Sequence, residues 1–261
     1  LTGVSLSGDK YTYQNPLNTD KPDRWEWHVC PCCPPMFLKI MAAMPGYIYA
    51  YQGDNVYVNL FIGSEVRVPV GKSNSVRLKQ LTSYPWHGAV SIQVNPDKAS
   101  TFSMKVRIPG WAQGTENPYD LYQSNLKAPV KLKVNQEDVL LRIVDGYAEI
   151  NQEWKKGDHI ELELPMQPRL ITANKAVENL RGQVALASGP IIYCFEDADN
   201  PELQTFKLQA QTPLELSHDS NLLNGVNIIK CQGDIPAKAI PYYAVANREE
   251  SHSYKVWIPQ K

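Results

Sequence analysis

The sequence predicts a mainly β protein that contains two β-sandwiches. From residue 47 onward, apolar and polar residues alternate with a period of two, as in half-buried strands. Turn signals recur about every eight to twelve residues, which is the spacing of sandwich strands. The 261 residues include 20 Pro, 14 Tyr and 6 Trp, and this composition favours strands separated by turns over a helical bundle.

A short region before residue 47 has a different pattern. Residues 1–29 are polar and irregular, and they contain several turn signals. Residues 36–44 (MFLKIMAAM) have apolar side chains at helical spacing, with Pro35 suited to a first helical turn and Pro45 acting as a stop. We therefore expect one short helix here, followed by strands.

The first sandwich is expected over residues 47–165 and a second, smaller one after it. The predicted strands of the first cover residues 47–51, 55–62, 65–68, 75–81, 89–94, 101–108, 130–134, 139–143, 148–150 and 160–164. Those of the second cover residues 169–172, 182–187, 190–195, 226–231, 240–245 and 253–258. The polar stretch at residues 197–224 is interpreted as a connection.

Charge and hydropathy argue against two classes of protein. Lys and Arg number 26 and Asp and Glu 27, so the net charge is −1, whereas a nucleic-acid-binding protein usually carries a basic excess. No apolar run approaches the roughly 18 residues of a membrane span. The chain starts at Leu1 without a leader, so we expect it to begin inside a longer protein or after processing. Its compartment stays open between periplasmic or secreted and cytoplasmic.

Five cysteines divide into a cluster and two single residues. Cys30, Cys32 and Cys33 lie within four positions of a proline-rich segment that is held out of helical geometry. Such closely spaced thiols favour a zinc site, although buried thiols without a ligand are the alternative. Cys194 and Cys231 lie in apolar strands and are expected in the core. The remaining zinc ligands are expected from outside this chain.

The cluster belongs to a set of motifs that resembles a known family. The motifs are WHVCPCCPP, GYIYA, NVYVNLFIGSEV, RIPGWA, DGYAEINQEWKKGDHIELELPMQPR and RGQVALASGPIIYCFEDADN. In this order, across residues 25–200, they resemble glycoside hydrolase family 127, the β-L-arabinofuranosidase group.

The resemblance implies an architecture. Family members have an (α/α)6 barrel with the active site, followed by two β-sandwiches. Residues 1–46 would then be the end of the catalytic barrel, residues 47–165 the first sandwich and residues 166–261 the second.

The resemblance also implies roles for two cysteines. Cys32 corresponds to the catalytic nucleophile of a retaining hydrolase, and Cys32 and Cys33 correspond to two zinc ligands. The other ligands and the acid/base Glu would lie in a preceding barrel segment, so this chain is expected to be inactive alone, with zinc absent or partial. Met36 and Lys39 stand where the family pattern has Asn and Arg, so those roles are not carried over.

Three aromatic side chains precede the cluster. Trp25, Trp27 and His28 could form a wall against a sugar ring of a plant-type glycan substrate, with simple packing as the alternative. The acidic residues after Phe195 lack the regular spacing of a calcium loop. A non-catalytic glycan-binding or structural module is the alternative function, and a homodimer stays open.

Overall fold

The computed structural model describes residues 3–26, 29, 33–117, 119–233 and 235–261, with the side chains of residues 33 and 34 left out. Two compact units are present. The middle unit comprises Met36–Gln113 and Ala128–Met166, and the terminal unit comprises Leu1–Pro35, Gly114–Lys127 and Gln167–Lys261. With 44% strand and 9% helix, the predicted mainly β class is confirmed.

The helices lie near the start of the chain. Helix α1 spans Cys33–Ala43 and α2 spans Pro45–Ile48. The predicted helix at residues 36–44 is confirmed, although it begins three residues earlier, so the expectation that the prolines hold Cys33 out of helical geometry is wrong: proline is tolerated in a first helical turn. Helix α1 ends before Pro45, as predicted, but Pro45 then starts the short helix α2, so the strand predicted over residues 47–51 begins instead at residue 49.

Strands make up most of the rest of the described chain. In chain order they are β1 Asn18–Thr19, β2 Tyr49–Gln52, β3 Asn55–Val58, β4 Ser64–Val70, β5 Asn74–Thr82, β6 Ala89–Pro96, β7 Ser100–Arg107, β8 Tyr122–Ser124, β9 Lys131–Val134, β10 Glu137–Asp138, β11 Ile143–Val144, β12 Tyr147–Trp154, β13 Asp158–Glu163, β14 Arg169–Ala173, β15 Gln183–Ser188, β16 Ile191–Glu196, β17 Leu214–Asp219, β18 Val226–Cys231, β19 Ala237–Pro241, β20 Tyr254–Lys255 and β21 Ile258–Pro259. Short 3-10 helices cover Gly110–Gln113, Glu178–Leu180 and Tyr242–Ala244.

The middle unit contains two sheets. One has the order β10-β9-β13-β6-β5-β4 and the other β11-β12-β7-β3-β2. Strands of both sheets alternate buried and exposed residues, so each sheet turns one apolar face to the core of the unit. Trp154 is fully buried there, and its indole N–H donates to the carbonyl of Phe102 at 3.0 Å.

The terminal unit is built on one continuous ten-stranded sheet. Its main path runs β17-β18-β19-β16-β15-β14-β8, with β20 and β21 paired beside it and β1 paired to β20. Apolar clusters cover both faces, one around Phe195 and Phe206 and the other around Cys194 and Trp257. Because both faces are covered, the central strands are nearly continuous apolar runs in the sequence, without the alternation of apolar and polar residues.

Two segments that are distant in sequence join this sheet. Asn18 and Thr19 pair with residues 255 and 254, and β8 pairs with β14. The second contact includes a buried ion pair in which Arg169 meets the Glu116 carboxylate at 2.6 Å and 2.9 Å. Neither segment was assigned to this sheet from the sequence. The domain boundaries after residues 46 and 165 and the preceding barrel stay predictions.

One predicted connection is partly wrong. Strand β17, Leu214–Asp219, lies inside the stretch 197–224 and pairs along its length with β18. Leu214 and Leu216 pack against the core at a period of two, but polar residues follow at positions 217–219, so the apolar alternation is too short to predict a strand.

None of the helices that the structure describes is both long enough and apolar enough to cross a bilayer.

Candidate active site

The cysteine cluster leads directly into α1. Cys33 is the first residue of this helix, and Pro35 lies in its first turn. A helix N-terminus carries partial positive charge, which favours a thiolate over a thiol. The remaining residues of the predicted site lie outside the described part of the chain, namely Trp27, His28, Cys30 and Cys32. Their roles therefore stay predictions, as does the metal-binding role of Cys33.

The segment just before the cluster is held by backbone pairing. The amide and carbonyl of Trp25 pair with the carbonyl and amide of Tyr11, at 2.8 Å and 2.9 Å. The indole of Trp25 stacks on Tyr13 with 5.6 Å between ring centroids and 7° between the planes. The residues that lead to Trp27 are therefore fixed within the terminal unit.

Arg24 attaches this segment to the C-terminal residues of the same unit. Its guanidinium donates to the carbonyls of Ala246 at 3.0 Å and Val245 at 2.6 Å, and also to that of Gly3. Burial lowers the pKa of Arg24, and the negative charge of Glu196 opposes that effect. Three backbone carbonyls from two distant parts of the sequence thus converge on one side chain.

Ala246 adopts a backbone conformation that suits this attachment. Its φ is +55°, in the left-handed region that costs an L-residue energy. Its N–H donates to Glu196 Oε1 at 2.7 Å and its C=O accepts from Arg24. The backbone N–H and C=O of Ala246 therefore link Glu196 to Arg24.

Glu196, which accepts from the Ala246 N–H, belongs to a buried network of charged side chains. Glu196 is fully buried, and its Oε2 accepts from Nε and Nη2 of Arg248 at 3.0 Å and 2.5 Å. Arg248 also donates to Asp199 at 2.6 Å, and Lys238 lies 2.5 Å from the same carboxylate. Buried charges need such pairing, so the network fixes its members relative to one another.

These pairs change the acidity of their members. Burial acts to raise the pKa of Asp199, but its hydrogen bonds to Arg248 and Lys238 outweigh burial and lower it. Burial acts to lower the pKa of Arg248, and its hydrogen bonds with Asp199 and Glu196 reverse the effect and raise it. Both shifts favour the charged forms of Asp199 and Arg248.

The two single cysteines are core residues, as predicted. Cys194 and Cys231 are buried free thiols. Burial raises the pKa of Cys231 to about 12 and raises that of Cys194 well above its usual value. Burial thus favours the neutral thiol at both positions, as expected of cysteines that pack in the core.

The donor set tests how well the cluster suits zinc. Adjacent thiolates are the soft ligands that zinc takes, and a structural or catalytic site needs about four ligand positions. Within the described ranges, no three His, Cys, Asp or Glu side chains come together as a metal site. Cys32 and Cys33 fit two of the four positions by their chemistry.

Sequence reasoning missed the residues that support the cluster. Arg24 lies in an irregular segment, and its partners Val245 and Ala246 follow more than 200 residues later. The position of Glu196 was the one weak sequence signal for this network. A carboxylate that directly follows the apolar strand IIYCF is expected to be buried, and a buried carboxylate needs a charged or hydrogen-bonding partner.

Three domains of one family match the chain in order. Residues 1–46 match the "Beta-L-arabinofuranosidase, GH127 catalytic domain", residues 55–166 the "GH127 middle domain" and residues 168–259 the "Glycoside hydrolase family 127 C-terminal domain". Together the three matches extend over almost the whole chain.

Similar proteins are longer than this chain. It is 28% identical to the "Non-reducing end beta-L-arabinofuranosidase" of Bifidobacterium longum subsp. longum, over 95% of this chain and 42% of that protein. A solved "GH127, Beta-arabinofuranosidase" is 34% identical with a TM-score of 0.90, over 100% of this chain and 43% of the other. A GH127 β-L-arabinofuranosidase from Geobacillus stearothermophilus T6 is 33% identical with a TM-score of 0.87, over 100% and 44%. The chain thus spans less than half the length of these relatives.

Proposed function

Because the chain belongs to glycoside hydrolase family 127, we propose that it is the C-terminal part of a retaining β-L-arabinofuranosidase that acts on plant-type glycans. The observation that carries this proposal is the ordered match to the catalytic, middle and C-terminal domains of that family. The catalytic match ends at residue 46, so this chain contributes the last part of the active-site domain.

Cys32 is the proposed nucleophile. Its thiolate attacks the anomeric carbon of the terminal sugar, and the S–C bond forms as the glycosidic C–O bond breaks. The leaving oxygen takes a proton from a carboxylic acid of the preceding catalytic segment. Water then attacks the same carbon and gives a proton to the carboxylate formed in the first step, while the S–C bond breaks and Cys32 leaves as the thiolate. Two inversions leave the anomeric configuration retained.

Cys32 and Cys33 are the proposed zinc ligands, with two more from the preceding segment. Bound zinc would keep the thiols deprotonated near neutral pH. The place of Cys33 at the start of α1 supports the same charge state, because the helix end favours a negative ligand.

The proposed partner of this chain is the rest of the catalytic domain. Helix α1 exposes 42–65% of the side chains of Met36, Leu38, Ile40 and Met41. Apolar side chains at this density on one helix normally pack against another element. We infer that the preceding segment covers them, and that the chain alone is inactive because its acid and two zinc ligands are missing.

Zinc analysis with an activity assay tests this proposal. A longer protein that includes the preceding segment is expected to bind close to one zinc per chain and to release L-arabinose from a β-L-arabinofuranoside. The 261-residue chain is expected to show little of either. Cys33→Ser in the longer protein should lose zinc and activity together, while Cys231→Ser, a buried thiol outside the cluster, should keep the metal. Full activity of Cys33→Ser without zinc would refute the zinc role.

A further inference from the structure

A cleft of about 350 Å³ lies in the terminal unit just before the cysteine cluster. Residues of the first segment form most of its wall, and two residues near the C-terminus complete it. The lining includes Gln14, Lys21, Asp23 and Trp25 from the first segment and Ala246 and Tyr254 from near the C-terminus. Ligand sites have volumes from about 300 Å³ upward, so the cleft suits a small polar ligand such as one sugar unit or two.

Trp25 gives the cleft a rigid aromatic surface. Tyr13 stacks on this indole in nearly parallel orientation, and Tyr13 does not line the cleft. The indole N–H donates to Asp23, and the backbone of Trp25 pairs with that of Tyr11. A fixed indole binds the apolar C–H face of a sugar ring with little loss of side-chain entropy.

Polar side chains also line the cleft. Gln14 and Lys21 are exposed residues of the wall, and their amide and ammonium groups can hydrogen-bond to hydroxyls. The Tyr254 hydroxyl donates to the carbonyl of Pro16 at 2.8 Å, which holds the wall to the C-terminal residues. An aromatic surface ringed by polar groups is the arrangement expected of a carbohydrate site.

The attachment through Arg24 also holds the wall of the cleft. Cys32 follows Trp25 by seven positions, so their Cα atoms lie within about 25 Å even in a fully extended chain. Ala246 lines the cleft and also accepts from Arg24. The contacts that hold Arg24 and Trp25 therefore hold the cleft as well.

We propose that this cleft binds a sugar unit of the glycan substrate away from the bond that is cleaved. The proposal rests on the proposed function for the identity of the sugar. A glycan held at both places would be oriented before reaction, and that would raise the affinity for longer substrates over single arabinofuranosides.

A binding titration of the 261-residue chain tests this site. The probes are methyl β-L-arabinofuranoside and a β-L-arabinofuranosyl disaccharide, followed by the NMR signals of the indole N–H groups. We expect the Trp25 signal to shift on titration, and Trp25→Ala to weaken binding about tenfold, the loss of one good aromatic contact. Trp86→Ala removes a half-exposed indole of the middle unit and should leave binding unchanged.

Further variants separate this site from the catalytic proposal. The described lining of the cleft contains no cysteine, so Cys32→Ser is expected to keep the same affinity for the probes. The double variant Gln14→Ala/Lys21→Ala alters exposed residues only and should weaken binding several-fold, which decides the question if Trp25→Ala fails to fold. Unchanged affinity in that double variant, or no shift of the Trp25 signal at saturating disaccharide, would overturn the proposal.

Discussion

Ala246 shows how one residue determines the position of a distant segment. Its left-handed backbone directs the N–H to Glu196 and the C=O to Arg24, so it connects a buried carboxylate with the chain that leads to the cysteines. The conformation costs energy for alanine, and the two hydrogen bonds offset that cost.

Ala246→Gly is expected to raise the free energy of unfolding by about 0.5–1 kcal/mol, because glycine adopts positive φ without strain and both backbone hydrogen bonds are kept. Urea denaturation measures the change. Ala176→Gly is the control, since this exposed alanine is not among the described residues with positive φ, and it should lose a few tenths of a kcal/mol. A lower free energy of unfolding for Ala246→Gly would show that the left-handed backbone of Ala246 is not strained.

At the scale of elements, Arg24 holds the segment that contains Tyr11 and Trp25, and it does not hold the strands of the sheet. The Tyr11–Trp25 pairing is a two-residue contact at the edge of the unit, and such contacts open easily without further support. The carbonyls of Ala246, Val245 and Gly3 supply that support through one guanidinium.

Arg24→Gln should therefore loosen this segment while leaving the sheet intact. Hydrogen exchange at the amides of Tyr11 and Trp25 is expected to accelerate about tenfold or more, because charged hydrogen bonds each contribute about 1.5–3 kcal/mol. Exchange in β15 and β16 should change little. The matched control is Arg181→Gln, which alters an exposed guanidinium paired with Glu178, and equal exchange in both variants would count against the attachment.

The elements also differ in how far the sequence predicts them. In strands such as β5 and β6, buried and more exposed residues alternate, because one face packs on the core and the other faces water. The alternation of apolar and polar residues in the sequence therefore predicts where these strands lie. Strand β17 and the pairing of Asn18 with Lys255 escape the pattern, because short or half-buried strands depend on contacts distant in sequence.

The candidate site divides in the same way. The cysteine cluster is visible from spacing alone, because three thiols in four positions are rare in a protein without a disulfide framework. Its supports are not visible, because Arg24 meets backbone carbonyls, and carbonyls carry no sequence signal.

At the scale of the whole chain, the paired carboxylates make stability depend on pH. Burial acts to raise the pKa of Glu116, but hydrogen bonds, the largest from Arg169, lower it overall. The pKa of Asp199 is lowered in the same way by its hydrogen bonds to Arg248 and Lys238. Each group therefore stabilises the fold fully above its unfolded pKa, near about 4, and the contribution is lost as the pH falls through the folded pKa.

We expect the urea midpoint to hold between about pH 5 and 7 and to fall steadily below about pH 4. Asp199→Asn should lower the midpoint at neutral pH and reduce its dependence on acid, because the lost group no longer titrates. Asp97→Asn is the control, since Asp97 pairs with Arg67 in an exposed ion pair of the middle unit. An acid dependence unaltered by Asp199→Asn would show that this carboxylate is not the source.

The central claim is that Cys32 forms a covalent bond to the sugar. The most direct measurement is peptide mass spectrometry of the longer protein, which includes the preceding catalytic segment, after reaction with an electrophile derived from β-L-arabinofuranose. Our account predicts one added sugar on Cys32, competed by L-arabinose and absent in Cys32→Ser. A label on another residue, with Cys32 unmodified, would contradict it.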